Sequence, residues 1–413
     1  MELCIFFKYL SEMRYQPRLR DGQAIPLPWP VAMYRRLNHT VWPLEDGASR
    51  LVVFLEKISI FVGFLIFTLH NEVDFHYLIA NRKDIDKMLT GAPTYLVLVE
   101  IQIRGFELAV RKDDFKRLLQ KFYADIYVSQ ESHPELYSRI QRLMLGTRLN
   151  SIAYLLALFN FSLVPVQNII YHRRDMLYQQ VYLFDNTKLY FFLPLICMNY
   201  WVGIIITTML FGELNVLGEL MAHLNTRYLL LSSDLNKICK RLLEDENRDE
   251  IAAKYRRALI HIMRRNVALN QFGQEMEKEF SFRIFIMFSF SAVLLCVMGF
   301  KAYTNPAGNI VYIIWFMAKF CELLAFGMIG SILYATTDEL STMYYSCNWE
   351  QIIYRSSNAR ENVLLMKLVF QAIQINSRPF FLTGLKYFRV TLVAVLKIIQ
   401  GAFSYFTFLT SIR

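Results

Sequence analysis

The chain is punctuated by apolar runs of about 20 residues, and these limit its fold more than any other feature. At a rise of about 1.5 Å per residue, about 20 helical residues cross the hydrocarbon core of a bilayer. Such runs occupy residues 51–69, about 93–110, 149–171, 189 to about 220, 284–300, 310–334 and 390–413. Composition agrees: 55% of residues are hydrophobic and 19% are charged, against about 45–50% and about 25% in soluble domains. The fold class predicted is all-α, a polytopic membrane protein with seven transmembrane helices.

The runs are not equally apolar. Glu56 and Lys57 interrupt the first, and Glu100, Arg104 and Glu107 sit in the second. A lone charge at bilayer centre costs about 2.5–3.5 kcal/mol on insertion scales. Glu100 and Arg104 are four apart and can pair on one helical face, so the second span is expected to be buried among other helices. Asn160, Gln167 and Asn168 are polar points in the third. The fourth stays apolar beyond one crossing, with Glu213 and Glu219 late in it, and is expected to project beyond the membrane. Lys319 and Glu322 lie one turn apart in the sixth.

Between the spans the chain divides into further segments. Residues 1–50, with Pro26, Pro28 and Pro30, are expected to form a cytosolic arm lying against the membrane. Residues 51–220 hold spans one to four, within which the basic stretch 111–148 continues span two as a helix. Residues 221–281 form a charged helical extension, with clusters such as Glu244, Asp245 and Glu246. Residues 282–334 hold spans five and six, joined by a tight turn at 305–308. Residues 335–389 form a cytosolic anchor segment, and 390–413 the last span. The apolar run 363–375 contains Lys367 and Gln371 and is short for a crossing. It is assigned to the cytosol, with an eighth span as the alternative.

Basic residues set the orientation. With the N-terminus inside, the cytosolic segments hold 33 Lys and Arg. The opposite loops hold seven: Arg82, Lys83, Lys87, Arg173, Arg174, Lys188 and Lys301. The positive-inside rule therefore puts the N-terminus in the cytosol and Arg413 outside. The apolar piece near Met1 is too short for a cleavable signal, so an internal span directs insertion. This orientation is the reverse of a G-protein-coupled receptor. No Asp-Arg-Tyr closes span three, and no Asn-Pro-x-x-Tyr lies in span seven. The net charge of +10 is distributed between apolar runs and addresses the membrane surface rather than nucleic acid.

Enzyme chemistry finds no support. No P-loop, dinucleotide glycine motif, His-Glu-x-x-His or Gly-x-Ser-x-Gly occurs. The seven histidines form no metal-ligand spacing. Cys4, Cys197, Cys239, Cys296, Cys321 and Cys347 form no CxxC pair, so neither a metal, a cofactor nor a disulfide framework is expected. The sequons at Asn38 and Asn160 are expected to be unglycosylated. No internal repeat of spans suggests a transporter.

Two groups of residues carry the functional reading. At about 100° per residue, the last span gathers Lys397, Gln400, Gly401, Ser404, Thr407, Phe408 and Ser411 into one arc. Ile398, Ile399, Ala402, Phe403, Tyr405, Phe406 and Leu409 lie opposite. Two readings stand: a pore-lining helix with Phe408 as the bulky residue on the wet face, or a buried helix whose hydroxyls bond to carbonyls of their own or a neighbouring helix. Lys397 either sits in a wide cytosolic vestibule or points to a carboxylate such as Glu322. The second group is aromatic and lies in the outer half: Tyr95, Tyr154, Phe159, Phe161, Tyr200, Trp201, Tyr312, Trp315, Phe316 and Phe320, with Thr207 and Thr208 below. Apolar walls with a few hydroxyls suit a small hydrophobic ligand; ordinary packing and lipid contact explain the same residues.

The last seventy residues carry a recognisable pattern. Tyr345 and Trp349 form a Tyr-x-x-x-Trp pair after span six. Arg360 to Met366, Gln374 with Arg378 and Pro379, and Ser404 to Leu409 follow. This resembles the C-terminal signature of insect odorant receptors. The remainder is similar in layout. Two positions depart: Gly384, Leu385 and Lys386 replace a pair of small residues, and Phe408 replaces a small aliphatic residue at the constriction.

The resemblance implies an odorant-gated, non-selective cation channel in the plasma membrane of olfactory neuron dendrites. Four subunits surround a central pore, each contributing its last helix, with Ser404, Thr407, Phe408 and Ser411 along the path. Cytosolic helices form a subunit anchor that includes Tyr345, Trp349 and Arg378. The odorant is expected in the outer half, among Tyr95, Tyr154, Phe159, Tyr200, Trp201, Thr208, Tyr312, Phe316 and Phe320. Residues 221–281 lack the long insertion of the family's coreceptor, which implies an odorant-tuning subunit that assembles with that coreceptor. A gustatory-type channel is the alternative, and a metabotropic seven-helix receptor a more distant one.

Overall fold

The computed structural model describes residues 13–19, 22–38, 41–170, 176–186, 188–244, 248–304 and 310–412. Cys4, His39 and Thr40, the loop residues Arg173, Arg174 and Asp175, Asp245 and Glu246, the turn at 305–308 and Arg413 lie outside them, as do the side chains of Gln167 and Asn168.

The described chain is nearly all helix. In order come α1 (Trp29–Leu37), α2 (Arg50–Ala80), α3 (Ile85–Val110), α4 (Lys112–Lys121), a π-helical turn (Phe122–Ile126), α5 (Pro134–Leu143), α6 (Leu145–Ile170), α7 (Leu189–Leu243), α8 (Ile251–Thr304), α9 (Ile310–Tyr345), α10 (Trp349–Arg355), α11 (Ala359–Ile375) and α12 (Leu392–Ile412). The exception is an antiparallel pair, β1 (Thr383–Gly384) and β2 (Phe388–Arg389). Local chemistry sets several boundaries. Ser49 caps α2 by accepting from the Val52 amide at 3.3 Å, and Asp84 caps α3 by accepting from that of Lys87 at 3.1 Å. Such caps satisfy amides that lack an intrahelical partner.

Five of these helices are long and apolar enough to cross a membrane by length and composition: α2, α7, α8, α9 and α12. α3 carries the charges foreseen in span two and buries them instead. α7 and α8 have 55 and 54 residues, about 80 Å each at 1.5 Å per residue. Each therefore runs far past a bilayer core of about 30 Å. The charged stretch 251–281 and span five are one continuous helix. We call the end carrying these overhangs the extension end, and the other the short-loop end. α9 packs on α6, α7, α8 and α12, and α2 leans on α3 at the edge.

Two segments differ from expectation. The N-terminal arm does not lie over the bundle: it enters it. Tyr34 and Trp42 are fully buried, and Trp42 meets Tyr34 and Phe115 edge-on at 5.8 and 6.0 Å. α1 packs on α7 at Gly212, where a Cβ atom would overlap the Tyr34 ring. The arm's apolar residues repay burial, which favours this site over a polar surface. Residues 111–148 extend α3 only in part, as α4 and the π-helical turn to Ile126, after which α5 is a separate helix. The helix kinks at Arg111 and resumes at once as α4, whose Phe115, Leu118 and Leu119, with Phe122 after it, join the core.

The hairpin leads into α12. Leu385 and Lys386 both have positive φ, 49° and 64°, a conformation that costs non-glycine residues about 1–2 kcal/mol each. Contacts to α8 hold it. Thr383 Oγ1 donates to Glu277 Oε1 at 2.6 Å, and the Leu385 amide donates to Ser281 Oγ at 2.8 Å. The chain entering α12 crosses α9 closely at Gly330, where any Cβ would strike the Val390 carbonyl.

Candidate functional site

The charges in the apolar spans meet one another. On α3, Arg104 Nη1 donates to Glu100 Oε1 at 2.6 Å. Its Nε donates to Glu213 Oε2 on α7 at 2.9 Å, and its Nη2 donates to the same oxygen. Arg283 of α8 reaches the other oxygen of Glu213 at 3.1 Å, and Glu279 and Glu107 at 2.9 and 3.2 Å. Lys319 of α9 lies between Glu100 at 3.2 Å and Glu322 at 3.1 Å. The Tyr154 hydroxyl on α6 donates to Glu322 at 2.5 Å. A continuous ladder of ion pairs thus joins five helices. Glu100, Arg104, Glu213, Glu279, Arg283, Lys319 and Glu322 are buried and Glu107 half-buried; groups this costly to desolvate must be paired when buried. Arg283 also lies over the Phe280 ring at 4.3 Å.

Glu100 with Arg104, and Lys319 with Glu322, were legible as one-turn pairs. The participation of Glu107, Glu213, Glu279 and Arg283 was not. The contacts that join them across helices span 70 or more residues, which sequence spacing does not signal; within α8, Glu279 and Arg283 are themselves four apart. The arrangement also answers the alternatives for Lys397. Glu322 is occupied by Lys319 and Tyr154, while Lys397 is exposed and has no ion-pair partner among the described residues.

A cavity of about 300 Å³ opens between α8, α9 and α12 toward the short-loop end. Phe316 and Phe320 of α9 line it, with rings stacked at 11° and 6.2 Å. Gly299 and Ala302 of α8 and Ala402, Phe403 and Phe406 of α12 complete its wall. The small side chains make the room, since a Cβ on Gly299 would lie 3.5 Å from Phe316. These facing small residues were the signal the sequence offered and that aromatic counting missed.

The other aromatic candidates are dispersed. Tyr95 stacks on Phe75 of α2 at 5.8 Å. Tyr154 belongs to the ion-pair ladder. Phe159 is 60% exposed on the outside of α6. The Tyr200 hydroxyl donates to the Ser162 carbonyl at 2.8 Å, and Trp201 meets Phe67 edge-on at 5.9 Å. Thr208 donates back to the Ile204 carbonyl at 2.7 Å. The Tyr312 hydroxyl donates to the Thr90 carbonyl at 2.8 Å, tying α9 to α3. Of the group, Phe316 and Phe320 are brought together around this cavity.

On α12, Lys397, Gln400, Ser404, Thr407, Phe408 and Ser411 are all exposed in the single chain, Phe408 by 59%. On the other side Val395 and Ala402 are buried and Phe406 and Leu409 partly so, while Phe403 and Tyr405 are 64% and 69% exposed. The hydroxyls of Thr407 and Ser411 donate to the carbonyls of Ser404 and Phe408, each at 2.8 Å. Their hydrogen bonding is thus met within the helix. In the segment before it, Trp349 Nε1 donates to the Tyr345 carbonyl at 3.0 Å and the indole meets Phe370 at 6.3 Å. Tyr345 and Phe370 are 62% and 57% exposed. Arg378 lines a polar hollow with Asn270, Glu277 and Asn376.

Long apolar helices that pair their charges internally define a multi-pass helical membrane protein. Within that class the chain belongs to the 7tm odorant receptor family, whose model matches residues 84–403. It is 64% identical to Odorant receptor 74a of Drosophila melanogaster over 404 residues, covering 98% of this chain and all of that one. It is 46% identical to Odorant receptor 35a of the same species over 403 residues, covering 97% of this chain and 98% of that one. The fold is similar to the insect olfactory receptor OR5 from Machilis hrabei, solved with eugenol. The TM-score is 0.74 at 11% identity, covering all of this chain and 99% of that one.

Proposed function

We propose that this chain is the odorant-tuning subunit of an odorant-gated cation channel, with α12 lining a pore shared with coreceptor subunits. The observation that carries the proposal is the two-sided exposure of α12. Its polar arc is uncovered in the single chain, and its opposite side forms one wall of the cavity lined by Phe316 and Phe320. A ligand in that cavity touches the pore helix from behind. In this reading the N-terminus and the overhangs of α7 and α8 are cytosolic. The exposed aromatic face of Tyr345, Trp349 and Phe370 joins subunits.

The closed pore is held dry by Phe408, since an apolar constriction gates by dewetting. A ligand opens it only through a higher affinity for the open arrangement. Shifting a 1:99 equilibrium to 99:1 takes about 5.5 kcal/mol. Burying about 200 Å² of apolar surface at about 25 cal/mol/Å² supplies about 5 kcal/mol. A small hydrophobic molecule filling the cavity only in the open state is therefore sufficient in scale. The ion-pair ladder contributes a rigid frame against which α12 moves.

The test is an odorant panel on cells expressing this chain with and without the coreceptor, followed by two variants. Phe408→Ala is expected to raise basal current. Ala402→Leu, which fills the cavity, is expected to raise the odorant concentration needed for half-maximal current at least tenfold. Unchanged basal current, rectification and block in Phe408→Ala remove this residue from the gate. An unchanged dose response in Ala402→Leu removes the cavity from odorant binding.

A further inference from the structure

A second depression lies on the outside of the bundle, away from the cavity behind α12. It is an apolar groove of about 530 Å³ between α2, α3 and α8. Phe64, Ile103, Phe106, Val110 and Phe282 line it. Phe106 and Val110 are 61% and 69% exposed. The groove does not close at the extension end of α3. It runs to Arg111, which also lines a charged cup of about 370 Å³ between α4 and α8. The cup contains Arg117, Lys121 and Lys278 on one sign and Asp114, Glu275 and Glu279 on the other.

Three of the four cations around the cup have carboxylate partners. Arg111 pairs with Glu107 at 3.2 Å and Glu279 at 3.1 Å, Arg117 pairs with Asp114, and Lys121 pairs with Glu275 at 2.6 Å. Lys278 is exposed and has no ion-pair partner among the described residues. Its own carbonyl accepts from Arg111 Nη1 at 3.0 Å, which fixes its backbone at the seam between groove and cup. With Glu107, which lines the groove beside Arg111, four carboxylates face the four cations, and Lys278 on the rim is the cation that no ion pair among the described residues engages.

We infer that this joined groove and cup is a binding site for an anionic glycerophospholipid of the cytosolic leaflet. An acyl chain lies along Phe64, Phe106 and Phe282, and the headgroup phosphate meets Lys278 and Arg117. The occupant follows from position and charge. An exposed apolar groove on a membrane-crossing helix pair faces lipid tails. The Lys278 ammonium, which no ion pair among the described residues engages, stands at its cytosolic end beside Arg117 and complements an anionic headgroup, as basic residues between membrane helices do. The assignment of the leaflet rests on the orientation proposed above. A lipid here bridges α3, α4 and α8, the helices that carry Glu107, Arg111 and Arg283 of the ion-pair ladder, and so stiffens that end of the frame.

The experiment uses the full chain purified with its coreceptor in nanodiscs of phosphatidylcholine, with or without phosphatidylserine, and reads the thermal unfolding midpoint. Phosphatidylserine is expected to raise the midpoint of the wild type and of Lys367→Gln, a charge control on exposed α11. It is expected to raise that of Lys278→Gln and of the groove-filling Val110→Trp less than half as much. Odorant-evoked current in Lys278→Gln, recorded in parallel, keeps the channel reading separate from the lipid reading. An equal rise in all four proteins overturns the site, and so does the absence of any rise in the wild type. Abolition of the rise by soluble glycerophosphoserine overturns the lipid assignment in favour of a free phosphoester.

Discussion

Glu213 is the residue on which the buried ladder converges, and its replacement by Gln tests the ladder's role. The side chain is nearly isosteric, so packing is preserved and charge is the variable. Both carboxylate oxygens are engaged, one by Arg104 and one by Arg283. Breaking a buried ion pair by removing one partner costs about 3–5 kcal/mol, because a charge is left uncompensated. Two guanidiniums lose a partner here, but neither is left alone. Arg104 keeps Glu100 at 2.6 Å, and Arg283 keeps Glu279 at 2.9 Å. The lower end of the range therefore applies, about 3 kcal/mol, or about a hundredfold in the folded-to-unfolded ratio at 1.4 kcal/mol per decade. The assay is thermal unfolding of purified protein followed by fluorescence-detected size exclusion, with cell-surface expression alongside. A cycle with Arg283→Met separates pairing from local damage. The double variant lacks one surplus cation and is expected to be more stable than the sum of the two single losses predicts, by about 1 kcal/mol or more. Additive losses, or a midpoint for Glu213→Gln equal to wild type, refute the argument that charge pairing holds these helices.

Three further expectations concern the rest of the fold. Gly212→Ala places a methyl in the Tyr34 ring and is expected to destabilise by about 1–3 kcal/mol, with partial recovery in Gly212→Ala/Tyr34→Ala; thermal midpoints of the three variants decide. Lys386→Gly relieves a left-handed residue at φ 64° and is expected to stabilise by about 1 kcal/mol, read as a higher midpoint. Asp46 accepts from Lys116 at 2.7 Å, and that bond holds its carboxyl below the usual range. A depressed carboxylate contributes stability above its unfolded pKa of about 3.9, lost as pH falls through the folded value. Because Asp46 is largely exposed, the Asp46→Asn difference is expected to stay below about 1 kcal/mol at pH 7 and to vanish under acid, as a pH series of melts checks.

Much of this protein was legible without coordinates, for a physical reason. A bilayer demands about 20 apolar residues per crossing and internal satisfaction of every backbone polar group, so the helices announce themselves by length and hydropathy. α7 was expected to overshoot the membrane because its apolar run outlasts one crossing, and it does. Glu100 with Arg104 and Lys319 with Glu322 were visible because helical periodicity puts residues three or four apart on one face. The polar arc of α12 was visible for the same reason, and it is uncovered in the folded chain.

What depends on contacts between distant residues needed the tertiary structure. The insertion of the N-terminal arm rests on Tyr34 finding space over Gly212, across more than 170 residues of chain. The kink at Arg111 sets the face that α4 turns inward, and Phe115, Leu118 and Phe122 find their core partners on other helices. The aromatic candidates differ from one another because each answers to its own neighbours, and spacing along one helix says nothing of the helix opposite. Thus Phe316 and Phe320 face a cavity shaped by Gly299 and Ala402, while Tyr154 completes an ion-pair ladder. The sequence determined which segments are apolar enough to be read as membrane spans and which side of the last helix is polar. Only the packing of α8 and α9 behind that helix decided where a ligand could press on it.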